Sequence, residues 1–335
     1  MTVAEAPVPG AVHPGPAPHA RQLRWLVPSS RGWTAGLLLV VVAAATGILR
    51  PATMSSTGAS LLLGPALPLV FASLAQMVII LVGDFDLGIG YAVGLVNVLT
   101  ATALTTNPFY GVALMIVMVL AYVAMGAIVE LFHVPAIVVT LGASFIWLGV
   151  GLTIQPTPGG TAASWLETTT NATWPVVPEQ AYIIVVGALV MWWVLRRWRY
   201  GIVLRGLGNN RAALVNSGWS PLRTRLCAYA LAGVLVDVAG LLTTSVTTSA
   251  DINASATLTL ITFAVVVVGG CRFGGGIVVP GGVVAAAVAF SLLASVLSFL
   301  NVAAAWNTGV EGLVLVAAVG MRWFVEGLRR YARRR

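Results

Sequence analysis

Long runs of apolar residues alternate with short polar connections along most of the chain. A helix needs about 20 apolar residues to cross the ~30 Å hydrocarbon layer of a membrane. The runs predict ten membrane spans, several of them short or interrupted by glycine, over residues 33–49, 61–82, 88–104, 110–131, 135–154, 181–195, 226–249, 257–270, 278–302 and 309–324. The pattern therefore predicts an all-α, polytopic integral membrane protein.

The positions of the arginines indicate which connections between the spans lie on the cytoplasmic side of the membrane. Basic residues accumulate on the cytoplasmic side of membrane proteins. Six spans from a cytoplasmic N-terminus return the chain to the cytoplasm at Arg196, and four more return it at Arg322, while no Arg or Lys lies between Arg50 and Arg196. We therefore expect both termini in the cytoplasm.

The same pattern suggests a domain organisation. Residues 1–32, rich in Pro and Ala, are expected to form a disordered cytoplasmic tail. Residues 33–325 form the predicted transmembrane domain, which includes a polar cytoplasmic segment at 196–225, and residues 326–335 form a basic cytoplasmic tail.

Composition agrees with a membrane protein and excludes several other classes. The chain is 59% hydrophobic and only 8% charged, whereas soluble domains carry about 25% charged residues. Its net charge of +8 is explained by topology and gives no reason to expect nucleic-acid binding. With no Lys in the chain, a Gly-x-x-x-x-Gly-Lys-Ser/Thr phosphate loop is impossible. Cys227 and Cys271 lack metal-ligand spacing. Because the sequence holds neither a phosphate loop nor a metal-binding motif, we expect no enzymatic activity and no metal or other cofactor.

The polar segment at 196–225 holds six of the 18 basic residues between Arg196 and Arg223, and a seventh at Arg225. One arginine at the centre of a membrane helix costs about 2.5–3.5 kcal/mol on insertion scales. The segment is therefore predicted to lie in the cytoplasm, where it is available to a partner.

Two glycine-rich segments, at residues 83–90 and 269–282, occupy corresponding places in the two halves of the chain. Paired interruptions of this kind point to a duplicated architecture around a shared pathway. We predict a weak internal two-fold repeat and structural glycines at Gly83, Gly88, Gly90, Gly269, Gly270, Gly275 and Gly276. The first segment also holds Asp84 and Asp86, which could either line a cavity or cap helices at the cytoplasmic interface.

Polar residues within the predicted spans are candidates for a translocation pathway, because a polar group in hydrocarbon is expensive. The candidates are Asp86, Asn97, Asp237, Thr257, Thr259 and Thr262. Asp237 lies near the middle of its span, where it could line a pathway or be a neutral carboxyl that bonds across helices.

Four motifs, in order over roughly residues 60–320, resemble those of ribose/xylose/galactose-type ABC importer permeases. Residues 83–90 are similar to the family motif Gly-Gly-Ile-Asp-Leu-Ser-Val-Gly, and residues 133–142 are similar to the motif Val-Pro-Pro-Phe-Ile-x-Thr-Leu-Gly. Residues 208–218 are similar to Gly-Gly-Asn-x-x-Ala-Ala-x-x-Ser-Gly, and 269–276 to Gly-Gly-Thr-Ser-Leu-x-Gly-Gly.

The resemblance implies a permease subunit in the inner membrane of a bacterial cell. It also implies that this subunit works with a cytoplasmic ATPase, a second permease subunit and an external solute-binding protein, and that it imports a small sugar or related polar solute. It also implies that residues 206–218 form a short coupling helix, capped by its two asparagines, that docks into the ATPase. The implied coupling residues are Arg205, Gly208, Asn209, Asn210, Ala212, Ala213, Ser217 and Gly218.

The chain departs from the family text at several positions. Residues 277–279 are Ile-Val-Val where the family has Arg-Gly-Ser, Thr259 and Ile261 stand where acidic residues are frequent, and Gly88 replaces a serine. These changes leave the solute open, and they leave room for one half of a heterodimeric permease.

An ion-coupled secondary transporter is the main alternative, with Asp84, Asp86, Asp237 or Glu311 as proton or sodium sites. An ion-coupled mechanism would account for the carboxylates in the spans, but it would not explain the arginine-rich segment at 196–225. An intramembrane enzyme would need a catalytic constellation that this sequence lacks.

Overall fold

The computed structural model describes residues 32–171 and 177–303, together with single positions beyond residue 303. Throughout these residues the regular structure is helical, apart from one isolated bridge between Gly159 and Ala250. The helices are α1 Trp33–Leu49, α2 Ser56–Leu63, α3 Ala66–Leu81, α4 Ile89–Leu99, α5 Pro108–Phe132, α6 Ala136–Ile154, α7 Ser164–Asn171, α8 Glu179–Arg196, α9 Arg199–Asn209, α10 Arg211–Asn216, α11 Pro221–Thr247, α12 Leu258–Val268 and α13 Pro280–Phe299. The all-α prediction is therefore confirmed for the described part of the chain.

The described helices include five that are long and apolar enough to cross a membrane, namely α5, α6, α8, α11 and α13. The bent pair α2 and α3 could supply a sixth crossing. Shorter apolar helices cover Trp33–Leu49, Ile89–Leu104 and Asn253–Val268. The ten predicted spans are thus not reproduced as ten long helices. The span predicted at 309–324 and the two predicted tails lie largely outside the described residues.

The span predicted at 61–82 corresponds to a bent pair of helices. Its two parts, α2 and α3, meet at Gly64 and Pro65 with a bend of 42°. Proline has no backbone N–H, and its ring crowds the preceding turn of a helix, so a sharp bend at this position has a clear cause.

Two other predicted spans are reproduced to different extents. The span at 88–104 is helical over residues 89–104, as α4 followed by a π-helical turn at Thr100–Leu104. The span at 257–270 contains only the 11 residues of α12, which rise about 16 Å at 1.5 Å per residue. Because this length is about half of the ~30 Å hydrocarbon layer, α12 alone does not span a membrane.

Helix α3 lies at the centre of the bundle, and 15 of its 16 residues are buried. A helix that is apolar on all sides is expected in such a position, and α3 packs against α11, α12 and α13. In contrast, α5, α6 and α8 carry large exposed apolar side chains, such as Ile116, Phe145 and Leu189. These outer faces suit contact with lipid.

The ends of the two longest helices are set by local sequence. Helix α11 begins at Pro221 after Ser220, whose side chain accepts a hydrogen bond from the Arg223 N–H, as a good N-cap does. Helix α5 ends at Phe132, and the next residue, His133, has a left-handed conformation with φ of 55°. These ends bring the last turn of α5 to the first turn of α11, where the charged residues described next are found.

Candidate functional site at the arginine-rich end

The polar segment at 196–225 folds into two short helices, α9 and α10, joined at Asn210. The Asn210 side chain caps α10, since its Oδ1 accepts a hydrogen bond from the Ala213 N–H at 3.0 Å. Asn209 does not cap a helix, because it is the last residue of α9. The helix expected over 206–218 therefore begins five residues later and covers only 211–216.

The exposed surface of α10 includes two alanines beside Arg211, Val215 and Asn216. Ala212, Ala213 and Ser217 are exposed, whereas Leu214 is buried against the rest of the protein. On α9, Arg205 is partly buried. Burial lowers the pKa of the Arg205 guanidinium from its ordinary value, and the nearby Arg196 cation lowers it further. These residues form a compact structure with one open, weakly polar face.

Four glycines bring α9 into contact with both glycine-rich segments, and we call Gly83, Gly208, Gly275 and Gly276 the glycine junction. A Cβ on Gly208 would overlap the Leu81 carbonyl oxygen and would lie 2.5 Å from the Gly276 N. The Gly276 N–H donates to the same Leu81 carbonyl at 2.9 Å. Backbones approach this closely only where Cβ atoms are missing, so the junction requires glycine at Gly208.

Three of these glycines also have backbone angles that favour glycine, with φ of 90° at Gly83, 78° at Gly275 and 76° at Gly276. The Asn209 side chain occupies the space next to Gly276, where a Cβ would overlap it. The two glycine-rich segments and the coupling segment, which the sequence indicated separately, are thus in direct contact.

A group of ion pairs lies beside the junction, and we call Asp84, Glu130, Arg211 and Arg225 the arginine network. Arg225 pairs with Asp84 at 2.9 Å and also with Glu130. Arg211 pairs with the other oxygen of Glu130 at 2.5 Å. Burial raises the pKa of the Asp84 carboxyl above its ordinary value, and the adjacent Arg225 guanidinium opposes this shift. Tyr229 donates a further hydrogen bond to Asp84 at 3.2 Å.

The second aspartate of the loop at 82–88 is held separately. Asp86 is buried and accepts hydrogen bonds from the Tyr122 hydroxyl at 2.9 Å and from the Gly88 N–H at 2.7 Å. On the other side of the loop, the Thr140 hydroxyl oxygen accepts from the Leu87 N–H at 3.1 Å. Side chains from α5, α6 and α11 therefore fix this loop.

The three threonines predicted for the pathway have different surroundings, and Thr259 is the one whose hydrogen bond joins two helices. The Thr259 hydroxyl oxygen accepts from the Gly90 N–H at 3.0 Å, which joins α12 to α4. Thr262 donates to the Thr259 carbonyl at 2.9 Å, and Thr257 is exposed at the start of α12. Gly269 likewise contacts the backbone of Val283, while Gly270 has a φ of 94°.

Asn97 joins three segments at the opposite end of the bundle. Its side-chain amide donates to the Thr244 hydroxyl at 2.9 Å and to the Ser249 carbonyl at 3.1 Å. Its oxygen accepts from the Asp251 N–H at 3.1 Å. Asn97 is 1% exposed, so the structure gives this candidate a packing role.

Replacing Asn97 with alanine is expected to destabilise the protein by about 2–4 kcal/mol, because buried groups left unpaired cost about 1–3 kcal/mol each. Thermal unfolding of the detergent-solubilised protein, followed with a thiol-reactive dye at Cys227 and Cys271, would measure the loss. The exposed Asn253, whose replacement by alanine should have little effect, is the matched control. Equal melting temperatures for the two variants would contradict the packing role.

The structure does not gather the six pathway candidates at one place. Asp86 lies in the loop before α4, Asn97 lies near the other end of α4, and Asp237 is buried in α11. The Asp237 Oδ1 has no hydrogen-bond partner among the described residues. Sequence reasoning missed Tyr122 and Tyr229 entirely. The spacing of four between Arg225 and Tyr229, which puts them on one helix face, was the available signal for Tyr229.

These features define the class of the protein as a polytopic helical membrane protein with a structured, arginine-rich polar end. The chain belongs to the family described as branched-chain amino acid transport system, permease component, whose model matches residues 58–319.

Several relatives are permeases of ABC transporters. The probable ABC transporter permease protein y4mJ of Sinorhizobium fredii is 26% identical over 287 residues, which cover 84% of this chain and 86% of the relative. The autoinducer 2 import system permease protein LsrC of Salmonella choleraesuis is 25% identical over 302 residues, covering 88% and 86%. The galactose/methyl galactoside import permease protein MglC of Haemophilus influenzae is 26% identical over 259 residues, covering 70% and 77%. No solved structure matches the chain.

The protein is therefore a membrane permease subunit of an ABC importer. Such a subunit is not itself an enzyme, since ATP hydrolysis takes place on a separate subunit, and it works together with an ATPase and a binding protein. Family membership does not favour the ion-coupled alternative for Asp84, Asp86 and Asp237.

Proposed function

We propose that this permease imports a small sugar or related polar solute, which an external binding protein delivers, and that the ATPase docks on α10. The exposed small residues of α10 and Ser217, the residue that follows it, carry this proposal. Ala212, Ala213 and Ser217 allow close approach of a partner, while Leu214 and the cap at Asn210 hold the helix in place. The coupling residues are those expected from the sequence, Arg205, Gly208, Asn209, Asn210, Ala212, Ala213, Ser217 and Gly218.

The proposed solute class rests on the relatives. MglC is named for galactose and methyl galactoside, and LsrC for autoinducer 2. The family description names branched-chain amino acids, which makes an amino acid the competing cargo. The permease motifs at 83–90 and 208–218 favour the sugar-type branch.

The proposed topology has ten membrane segments, with both termini in the cytoplasm. Five long helices, one bent pair and three shorter apolar helices support nine of these segments, and the sequence at 309–324 supports the tenth. The junction of α9 with both glycine-rich segments supports a common cytoplasmic end. Labelling of a terminal tag from outside intact spheroplasts would overturn this orientation.

The proposed assembly contains two permease subunits, identical or related, around one central pathway. The spans that carry the glycine-rich segments at 83–90 and 269–282 would lie near its axis, where glycine permits close helix contact in lipid. The two segments also form the proposed internal repeat. A purified complex with a single permease subunit would contradict this arrangement.

The central test is purification of the tagged permease from its native membrane. We expect an ATPase subunit to co-purify, and we expect calorimetry of the binding protein from the same system to detect a sugar. If that protein bound amino acids or metal ions and no sugar, the solute class would be wrong while the importer function would stand.

A further inference from the structure

Glu130 connects the surface helix α10 to the buried loop at 82–88. Arg211 on α10 donates to both oxygens of Glu130, at 2.5 Å to Oε1 and 3.2 Å to Oε2, and Arg225 on α11 pairs with Oε2 as well. Arg225 continues to Asp84 at 2.9 Å. The side chain of Arg211 is 48% exposed, whereas those of Arg225 and Glu130 are 12% and 5% exposed. The ion pairs thus form a continuous path from the surface inward.

The arginine network is balanced, with two cations and two carboxylates. Removing one partner of a buried pair leaves an uncompensated charge, which is much worse than losing the pair as a whole. When Arg211 moves away, Glu130 loses one of its two positive partners. The Arg225 guanidinium is then attracted more strongly to Glu130, which weakens its ion pair with Asp84.

Among the described side chains, the ion pairs of Glu130 and Arg225 link α10 to the loop. The helix has six residues, and Leu214 is its buried anchor. The loop is held by Tyr122 and Thr140 on one side, and by Arg225 and Tyr229 on the other. Of these groups, only Arg225 shares a carboxylate with a residue of α10 among the described side chains.

We propose that Glu130 is a positioning residue that transmits movement of α10 to the loop at 82–88 through Arg225 and Asp84. The inference rests on the proposed docking of the ATPase on α10, because that docking supplies the movement. Glu130 then determines how strongly ATP hydrolysis and the state of the permease are linked, without touching nucleotide or solute.

The test uses the complete permease–ATPase complex in lipid nanodiscs, with MgATP and the purified external binding protein carrying its co-purified solute. In the Glu130→Gln variant, the ATPase should remain bound, while stimulation of ATP hydrolysis by the binding protein should fall by about tenfold, within the usual range of coupling between sites. Arg50→Gln removes a charge near Phe299, away from the network, and is the matched control that should behave like the parent.

A second variant guards against misfolding of the first. Arg211 is largely exposed, so Arg211→Gln should fold normally, and it should reduce the stimulation by about threefold, in keeping with a partly exposed ion pair. Arg211→Lys keeps the charge and should restore most of the stimulation. A purely structural ion pair would change melting temperature without this charge-dependent rescue.

The outcomes separate two failures. If the parent permease recovered no ATPase, the proposed function itself would fail. If the ATPase were recovered but Arg211→Gln kept full stimulation, or Glu130→Gln lost the bound ATPase, transmission through Glu130 would be wrong while the importer function remained.

Discussion

Replacing Gly208 with alanine is expected to reduce transport by the assembled importer at least tenfold, even though alanine favours a helix over glycine by about 1 kcal/mol. The new Cβ would overlap the Leu81 carbonyl oxygen and would lie 2.5 Å from the Gly276 N. Neither backbone can move easily, because Gly276 donates its hydrogen bond to that same carbonyl. The segment carrying α9 and α10 must then separate from the two glycine-rich segments.

Solute uptake into proteoliposomes and the melting temperature of the variant would measure this effect. Overpacking of this kind costs about 1–3 kcal/mol, so we expect a lower melting temperature together with the loss of transport. Gly142→Ala is the matched control, since a Cβ there meets no atom within 4 Å. Normal transport by Gly208→Ala would mean that the glycine junction is not required.

The helices themselves could be predicted from the sequence because membrane helices depend on local apolar runs. The cap at Asn210 was predictable for the same reason, since its partner lies three residues away. The bend at Gly64 and Pro65 was visible in the residues but was overlooked, because the apolar run continues through it. Local patterns thus determine most helix positions, but not how far each helix continues.

Long-range contacts could not be predicted in this way. The glycine junction joins Gly208 to residues more than 60 positions away in the chain. Nothing in the sequence around Gly208 indicates that its partners are Leu81 and Gly276. Similarly, the sequence leaves open whether Asp86 lines a cavity or caps a helix, because it does not reveal that Tyr122 of α5 is its hydrogen-bond partner. Both sites depend on how helices pack, which a single sequence does not specify.

The pathway candidates illustrate a different limit. Polar residues in membrane spans are candidates for a pathway, yet a hydroxyl can bond to a backbone carbonyl nearby. Thr262 does so with the carbonyl of Thr259, three residues before it. Asn97 uses its whole amide for packing. A sequence gives the number of polar groups but not the number that stay unpaired.

Replacing Ala213 with glutamate is expected to abolish the ATP hydrolysis that is coupled to transport, while the permease stays folded and inserted. Ala213 is exposed on α10, at the third residue after the cap Asn210. An acidic residue at this position favours the start of a helix, so α10 itself should be stabilised. The change instead places a carboxylate where a closely packed partner would have to bury it, which costs several kcal/mol.

Three measurements on the reconstituted complex check this expectation, namely ATP hydrolysis with and without the binding protein, recovery of the ATPase with the tagged permease, and the melting temperature. We expect stimulated hydrolysis to fall to the basal rate and recovery of the ATPase to decrease, with the melting temperature unchanged. Ala52→Glu, at an exposed alanine in the short helix Pro51–Met54, is the matched control. Because glutamate improves the helix and only impairs docking, coupled hydrolysis that survived in Ala213→Glu would rule out α10 as the ATPase contact.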